Sequence, residues 1–201
     1  MNDDRLFHTT SSLPASGPRI AAKTRGLRWR PTTAPPRTTQ RVRGASIRSF
    51  GTGIAPRELL EAIGANYHRS PRPVPSAGAT YGLSFYLLTS NAADEPADQA
   101  VLACTPSMLR RLVFNRLEGQ FSLIVIAAAL PAYTRAYGAR GYRYALIESG
   151  HFAQMFLQDA YRRGWTACPI GSFHDAGIAQ AISPGPLSPD TPLYLLGVGH
   201  A

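Results

Sequence analysis

The sequence predicts a domain of mixed helices and strands, α+β or α/β, and two observations carry the prediction. Segments of strand character alternate with segments of helical apolar spacing from about residue 46 onward. The hydrophobic fraction is 44%, too high for full disorder, and 201 residues can bury a sizeable core. Charge divides the chain further. Residues 1–75 hold 13 of the 21 Lys+Arg and 4 of the 12 Asp+Glu, the whole excess of +9; residues 76–201 balance at 8 and 8. An even basic coat, as a general nucleic-acid binder would wear, is disfavoured. Only Lys23 is a lysine, a skew that fits a GC-rich genome and carries no functional weight.

Residues 1–45 read as an irregular basic arm. They are rich in Thr, Pro and Arg without helical or strand period, and Pro31, Pro35 and Pro36 break any long element. The bland reading is a solvated tail; the other is an arm that clasps a partner subunit, helped by Leu6, Phe7, Leu13, Ile20, Leu27 and Trp29. The body, 46–201, follows. Pro56 suits a first helical position, and Leu59, Leu60 and Ile63 give a helical stripe over 56–66. Residues 69–75 form an extended loop, and 83–89 a strand. Thr105-Pro106 reads as a cap and first position of a helix reaching Leu117, closed by Gly119. The continuous apolar run 121–129 is a buried strand. Residues 141–163 form the longest helix, with Leu146, Ile147, Phe152, Met155, Phe156 and Tyr161 dense enough for a mostly buried element ended by Gly164. A short strand or turn at 165–169, a helix at 174–182 and a last strand at 193–198 complete the order.

Several classes are excluded or disfavoured. No phosphate loop, Gly-x-Gly-x-x-Gly, Gly-x-Ser-x-Gly or His-Glu-x-x-His is present. His8, His68, His151, His174 and His200 are scattered, and Cys104 and Cys168 lack neighbours at ligand spacing, so no metal site is expected. Two cysteines make no disulfide framework. The longest apolar run, 123–130, is less than half of the ~20 residues a bilayer span needs, so no membrane association is expected. No secretory signal is visible in the acidic Met1-Asn2-Asp3-Asp4, and a cytoplasmic location is the expectation. An enzyme of this composition would rely on a bound cofactor for its chemistry.

Four segments in order resemble one family. Arg43-Gly44-Ala45-Ser46-Ile47-Arg48-Ser49-Phe50 resembles the Arg-Arg-Ser-x-Arg-x-Phe opening of nitroreductase-like flavoproteins. Pro75-Ser76-Ala77-Gly78-Ala79-Thr80-Tyr81 is similar to the Pro-Ser-Ala-Gly-Ala segment of their SagB-type (McbC-like, thiazole/oxazole-forming) branch. Tyr137-Gly138-Ala139-Arg140-Gly141-Tyr142-Arg143-Tyr144, leading into Glu148-Ser149-Gly150-His151, resembles that branch's Lys-Tyr-x-x-Arg-x-Tyr-Arg stretch and its Glu-x-Gly-His helix. Ala167-Cys168-Pro169-Ile170-Gly171-Ser172-Phe173 and the strand end Leu195-Leu196-Gly197-Val198-Gly199 complete the set. The resemblance runs from about residue 6 to the C-terminus.

The resemblance implies an α+β nitroreductase-like fold, with a central mixed or antiparallel sheet flanked by helices. It implies a homodimer with FMN at the interface, and oxidation of azolines to thiazoles or oxazoles in a ribosomally synthesised, post-translationally modified peptide. A cyclodehydratase partner would supply the azolines. The FMN phosphate would take Ser46 and Arg48, with Arg43 assisting; guanidinium forks suit phosphate oxygens. Pro75, Ser76, Ala77 and Gly78 are small enough for backbone to approach the ring, although an ordinary tight turn before a strand reads nearly as well. Pro169, Ile170, Gly171 and Ser172 would set backbone N–H groups near N5 and O4, where negative charge develops on reduction. The plainer reading is a strand-to-helix turn capped by Ser172 or Asp175.

In the implied reaction an azoline loses two hydrogens, one as a proton to a base and one as a hydride to the flavin. Tyr137 aligns with the family's catalytic tyrosine. A phenol, with a reference pKa near 10, needs help to act as a base at neutrality. Ala136 stands where the family has a helping lysine, and Gly44 and Ala45 where it has paired arginines. His151 reads as an ordinary helix histidine before it reads as a catalyst. These departures keep other readings open. One is a divergent, flavin-poor subunit of a peptide-modifying complex. Another is a general FMN-dependent reductase of nitro compounds or quinones. Nucleic-acid binding through the arm ranks last, because its bases lack a helix face or stacking platform.

Overall fold

The most apolar run of the sequence becomes the centre of a sheet. The computed structural model describes residues 47–90, 101–113, 117–183 and 190–201. The proposed arm at 1–45, and Arg43 and Ser46 with it, lie outside the described residues. In chain order the elements are β1 (Ser49–Phe50), α1 (Pro56–Ile63), a wider helical turn (Gly64–His68), a tight turn (Ala77–Ala79), β2 (Leu83–Thr89), β3 (Val101–Ala103) and α2 (Pro106–Leu112). They continue with β4 (Glu118–Gly119), β5 (Ser122–Ala129), α3 (Leu130–Tyr137), α4 (Arg140–Arg162), β6 (Thr166–Ile170), α5 (Asp175–Ile182) and β7 (Asp190–Gly199).

Five strands form one sheet in the order β3-β2-β5-β7-β6, and β1 and β4 pair as a separate parallel ribbon. Within the large sheet only β2 and β3 are parallel; β2–β5, β5–β7 and β6–β7 are antiparallel. The sheet is mixed and flanked by helices on both faces. β5 lies at its middle with residues 123–128 fully buried. Because strand side chains alternate, Ile124, Ile126 and Ala128 join α1, α3 and α4 in one core. Leu123, Val125 and Ala127 join α2 and α5 in the other. Burial on both faces explains why β5 reads as a continuous apolar run. Pro169 is tolerated because β6 is an edge strand.

Two boundaries differ from expectation. The helix opened by Pro106 stops at Leu112, well short of Leu117. Val113 leaves it to form a bridge with Phe173, and Gly119, at φ 81°, sits in β4 and closes no helix. Its start is as read: the Thr105 hydroxyl accepts the Met108 N–H at 3.2 Å. At the head of α5 the cap position is held by His174, not by Ser172 or Asp175; Asp175 lies in the first turn.

The long helix α4 departs from its expected burial. Phe152 and Phe156 are fully buried, but Leu146 is 40% exposed, Ile147 48% and Tyr161 43%. One side of α4 packs on β2, β6 and β7. The stripe Ile147, Gly150, Gln154 and Tyr161, spaced by three, four and seven, faces outward.

α3 is an element that the sequence reading did not separate from β5. It begins directly at the strand's end, with Pro131 in its first turn. α3 and α4 meet at Gly141, where a β-carbon would stand 2.6–2.7 Å from the backbone of Tyr133 and Thr134. Only glycine lets the two backbones approach this closely.

Candidate functional site

Three of the sequence-marked segments arrive at one end of the sheet, and topology explains why. Leu83 pairs with Ala128, Ala128 with Thr191, and Ile170 with Leu195 midway along β7. The turn before β2 and the helix α3 after β5 therefore share that end, and residues 171–172 leave β6 in its direction. The outer two are three strand spacings apart, about 14 Å.

The turn at 76–81 is backbone under tension. Gly78, Ala79 and Tyr81 have φ of 57°, 53° and 45°. For Ala79 and Tyr81 this left-handed conformation costs about 1–3 kcal/mol each. Local bonds offset part of that cost. The Ala79 N–H donates to the Ser76 carbonyl at 3.2 Å, and the Thr80 N–H and hydroxyl both donate to the Ala77 carbonyl. The Tyr81 hydroxyl donates to the Val74 carbonyl at 3.3 Å, and the Arg72 guanidinium lies 4.4 Å from the Tyr81 ring centre.

Behind the turn lies a buried carboxylate. Glu148, on α4, is 1% exposed. Its Oε2 accepts the Ser76 hydroxyl and its Oε1 the Tyr67 hydroxyl, each at 2.5 Å. The Tyr133 hydroxyl stands near enough for the carboxylate's charge to act on it. Each hydroxyl in turn accepts a backbone N–H: Ser76 from Tyr81 at 3.0 Å, Tyr133 from Gly82 at 3.1 Å, Tyr67 from Leu83 at 3.2 Å. Two of these amides, of Tyr81 and Leu83, thus connect through the Ser76 and Tyr67 hydroxyls to one carboxylate. Burial raises the Tyr67 and Tyr133 phenols well above their ordinary range, and the Glu148 charge raises them further. Nearby, burial and then the Arg72 charge lower His68.

Tyr137 ends α3 and reaches back over the turn. Its hydroxyl lies 2.2 Å from where a Gly78 β-carbon would stand, and its ring meets Tyr144 edge-on at 4.8 Å. The structure therefore brings Tyr137 to Gly78, two residues that sequence motifs mark separately. Pro75 and Gly78 are exposed, Ser76 and Ala77 half-buried. Across the sheet end, Ile170 is fully buried in the second core, so only its backbone can meet a ligand. Gly171 and Ser172 are exposed, and a β-carbon on Gly171 would meet only Tyr194, at 3.9 Å.

Arg48 is not brought to this end. It is exposed just before β1, its carbonyl accepts the Glu118 N–H at 2.8 Å, and Gly51 and His200 tie β1 to the far end of β7. Between the two ends β5 covers about 20 Å from Ser122 to Ala128. His151 is exposed on α4, away from the carboxylate's buried side. Tyr67 and Tyr133 were not marked by motifs, and Glu148 only as a letter of one. The available signal was weak: a tyrosine ending the Gly64–His68 turn and another three residues into α3.

A five-stranded mixed sheet between helical layers, carrying a small-residue turn and a tyrosine at one sheet end, defines a class of nitroreductase-like fold. The Nitroreductase family description matches residues 45–200, and the chain belongs to that family. A nitroreductase of Methanocaldococcus jannaschii is 31% identical over 158 residues, covering 71% of this chain and 77% of the relative. Among solved structures, a chain of the Escherichia coli microcin synthetase McbBCD complex, with truncated pro-MccB17 bound, is similar with a TM-score of 0.69 and 19% identity. That match covers 96% of this chain and 86% of the other. A nitroreductase of Exiguobacterium sibiricum in complex with FMN matches at a TM-score of 0.57 and 18% identity, covering 78% and 84%. At these identities the structural likenesses speak for the fold. Among the described residues no helix is long and apolar enough to cross a membrane.

Proposed function

We propose that the chain is an FMN-dependent oxidoreductase that converts azolines to thiazoles or oxazoles in a ribosomally made peptide. The observation that carries this reading is the seating of the Tyr137 hydroxyl on Gly78, which joins the two motifs most typical of the azole-forming branch. The likeness to the microcin synthetase chain, over 96% of this chain, supports it. The residues present fit the cofactor in part. The exposed turn at 77–79 has no side chain larger than methyl, and Gly171 and Ser172 offer backbone at the same sheet end. When bound, FMN supplies hydride acceptance. The chain's own residues then have distinct duties. Pro75, Ser76, Ala77 and Gly78 form one wall for the ring, and residues 169–172 form another. Tyr137 takes the azoline proton.

Arg48 would hold the phosphate, with Arg43 and Ser46 nearby in sequence. Arg48 stands at the opposite sheet end from residues 76–78. That separation supports a homodimer in which one subunit's Arg48 serves a cofactor that the other's turn contacts. The outward stripe of α4 supports the same reading, because Ile147 and Tyr161 offer apolar surface on a helix whose other side packs in the core. A peptide-modifying partner that installs the azoline follows from the reaction class.

A second reading, a general FMN-dependent reductase of nitro compounds or quinones, is favoured by the 31% identity to the archaeal nitroreductase. The absorbance spectrum of purified protein, with the released cofactor identified, is the first experiment. Flavin bands are expected; their absence leaves the flavin-poor subunit. Incubation with an azoline-bearing peptide should then give a mass loss of two hydrogens. Turnover of nitroarenes or quinones without that loss would replace the azole reading by the general reductase.

A further inference from the structure

We propose that Glu148 is the positioning residue of the site: it fixes the strained turn at 76–81, and so the wall offered to the flavin ring, by acting through Ser76 and Tyr67. The flavin part rests on the function proposed above; the positioning part rests on the geometry alone.

A backbone N–H can only donate. The N–H groups of Tyr81, Gly82 and Leu83 therefore fix the Ser76, Tyr133 and Tyr67 oxygens as acceptors. Each hydroxyl has a single proton left to give, and the two Glu148 oxygens accept those of Ser76 and Tyr67. Glu148 stands where these protons meet, on the rigid middle of a 23-residue helix. The turn needs such an anchor. Two of its non-glycine residues are left-handed, and a strained conformation persists only where the surroundings over-determine it. With a neutral amide in place of the carboxylate, an NH₂ group faces at least one hydroxyl. That hydroxyl must turn its proton elsewhere, and the tie that orients it toward the amide behind it is lost.

The experiment compares wild type, Glu148→Gln, Ser76→Ala and the double variant. The first readout is amide hydrogen exchange without added flavin. Exchange at Tyr81 and Leu83 should quicken at least tenfold in Glu148→Gln, with β5 amides unchanged. Unchanged exchange at these two overturns the proposal. Should Glu148→Gln fail to fold, Ser76→Ala cuts a single link, and its Tyr81 amide must exchange at least tenfold faster or the proposal falls.

The second readout is FMN affinity, with the visible circular dichroism of the bound flavin. Each single variant should weaken binding about tenfold and alter the flavin signal. The double variant should lose no more than Glu148→Gln alone, since Glu148 acts through Ser76. Fully additive losses overturn the route through Ser76. A wild type that binds no FMN, yet shows the expected exchange pattern, sinks the flavin reading and leaves the anchoring of the turn intact.

Discussion

The Tyr137 hydroxyl occupies the space in which a Gly78 side chain would stand, 2.2 Å from the position of its β-carbon. Two segments 59 residues apart in sequence are thereby mutually exclusive in volume. The choice of glycine at one fixes where the phenol of the other can lie.

Gly78→Ala should therefore be costly twice. At φ 57° an alanine loses about 1–2 kcal/mol from backbone alone, and its methyl displaces Tyr137. Chemical denaturation should show a loss of at least that size, and azoline or reductase turnover should fall by tenfold or more. Adding Tyr137→Ala should restore part of the stability and none of the activity.

Tyr137→Phe keeps the ring against Tyr144 and removes the group resting on Gly78. Flavin content should stay at the wild-type level. Azoline dehydrogenation should drop about 10²-fold or more, the usual contribution of a positioned base. Full dehydrogenation by this variant would end the proton-acceptor role.

Alkali should loosen the fold through two buried phenols and a half-buried one. Tyr86 donates to Asp190 at 2.8 Å, and burial with that carboxylate pushes it up to about 12; Tyr67 and Tyr133 are raised more strongly. A folded pKa above the unfolded value means the unfolded chain releases its proton first. The stabilisation is complete below about pH 10 and declines as pH rises through the folded values. Denaturation midpoints measured from pH 8 to 12 should fall beyond pH 10, and less steeply in Tyr86→Phe. A midpoint independent of pH across that range would contradict the burial of these hydroxyls.

Ile147→Glu places a charge in the outward stripe of α4 without touching either core. Sedimentation should show a dimer for wild type and a monomer for the variant, with helix content retained. A wild type that sediments as a monomer would remove the subunit-interface reading of that stripe.

Local pattern carried much of the fold. Residues 83–89 are a mostly apolar and aromatic run between turn residues, so β2 was legible to its ends. β5 was legible because burial on both faces demands an unbroken apolar run. α3 was not, because the alanines of the strand pass into Leu130 and Pro131 with no polar break. The early end of α2 was hidden because the Val113–Phe173 bridge draws on a residue 60 positions away. The burial of Leu146 and Ile147 was overread, since helical spacing says a face is apolar and not what covers it. The site follows the same rule. Gly78 and Tyr137 stood out through motifs, whereas the bond from Ser76 to Glu148 spans 72 residues and leaves no periodic trace.

The contact at Gly141 has a consequence for how the site can move. With the backbones of α3 and α4 touching there, the two helices form an elbow that cannot flex without collision. Tyr133, Tyr137 and Glu148 ride on that elbow as one rigid jaw. The turn at 76–81 is tied to that jaw through Ser76, so any opening that admits a substrate must come from outside both, with the stretch 69–75 as the compliant side.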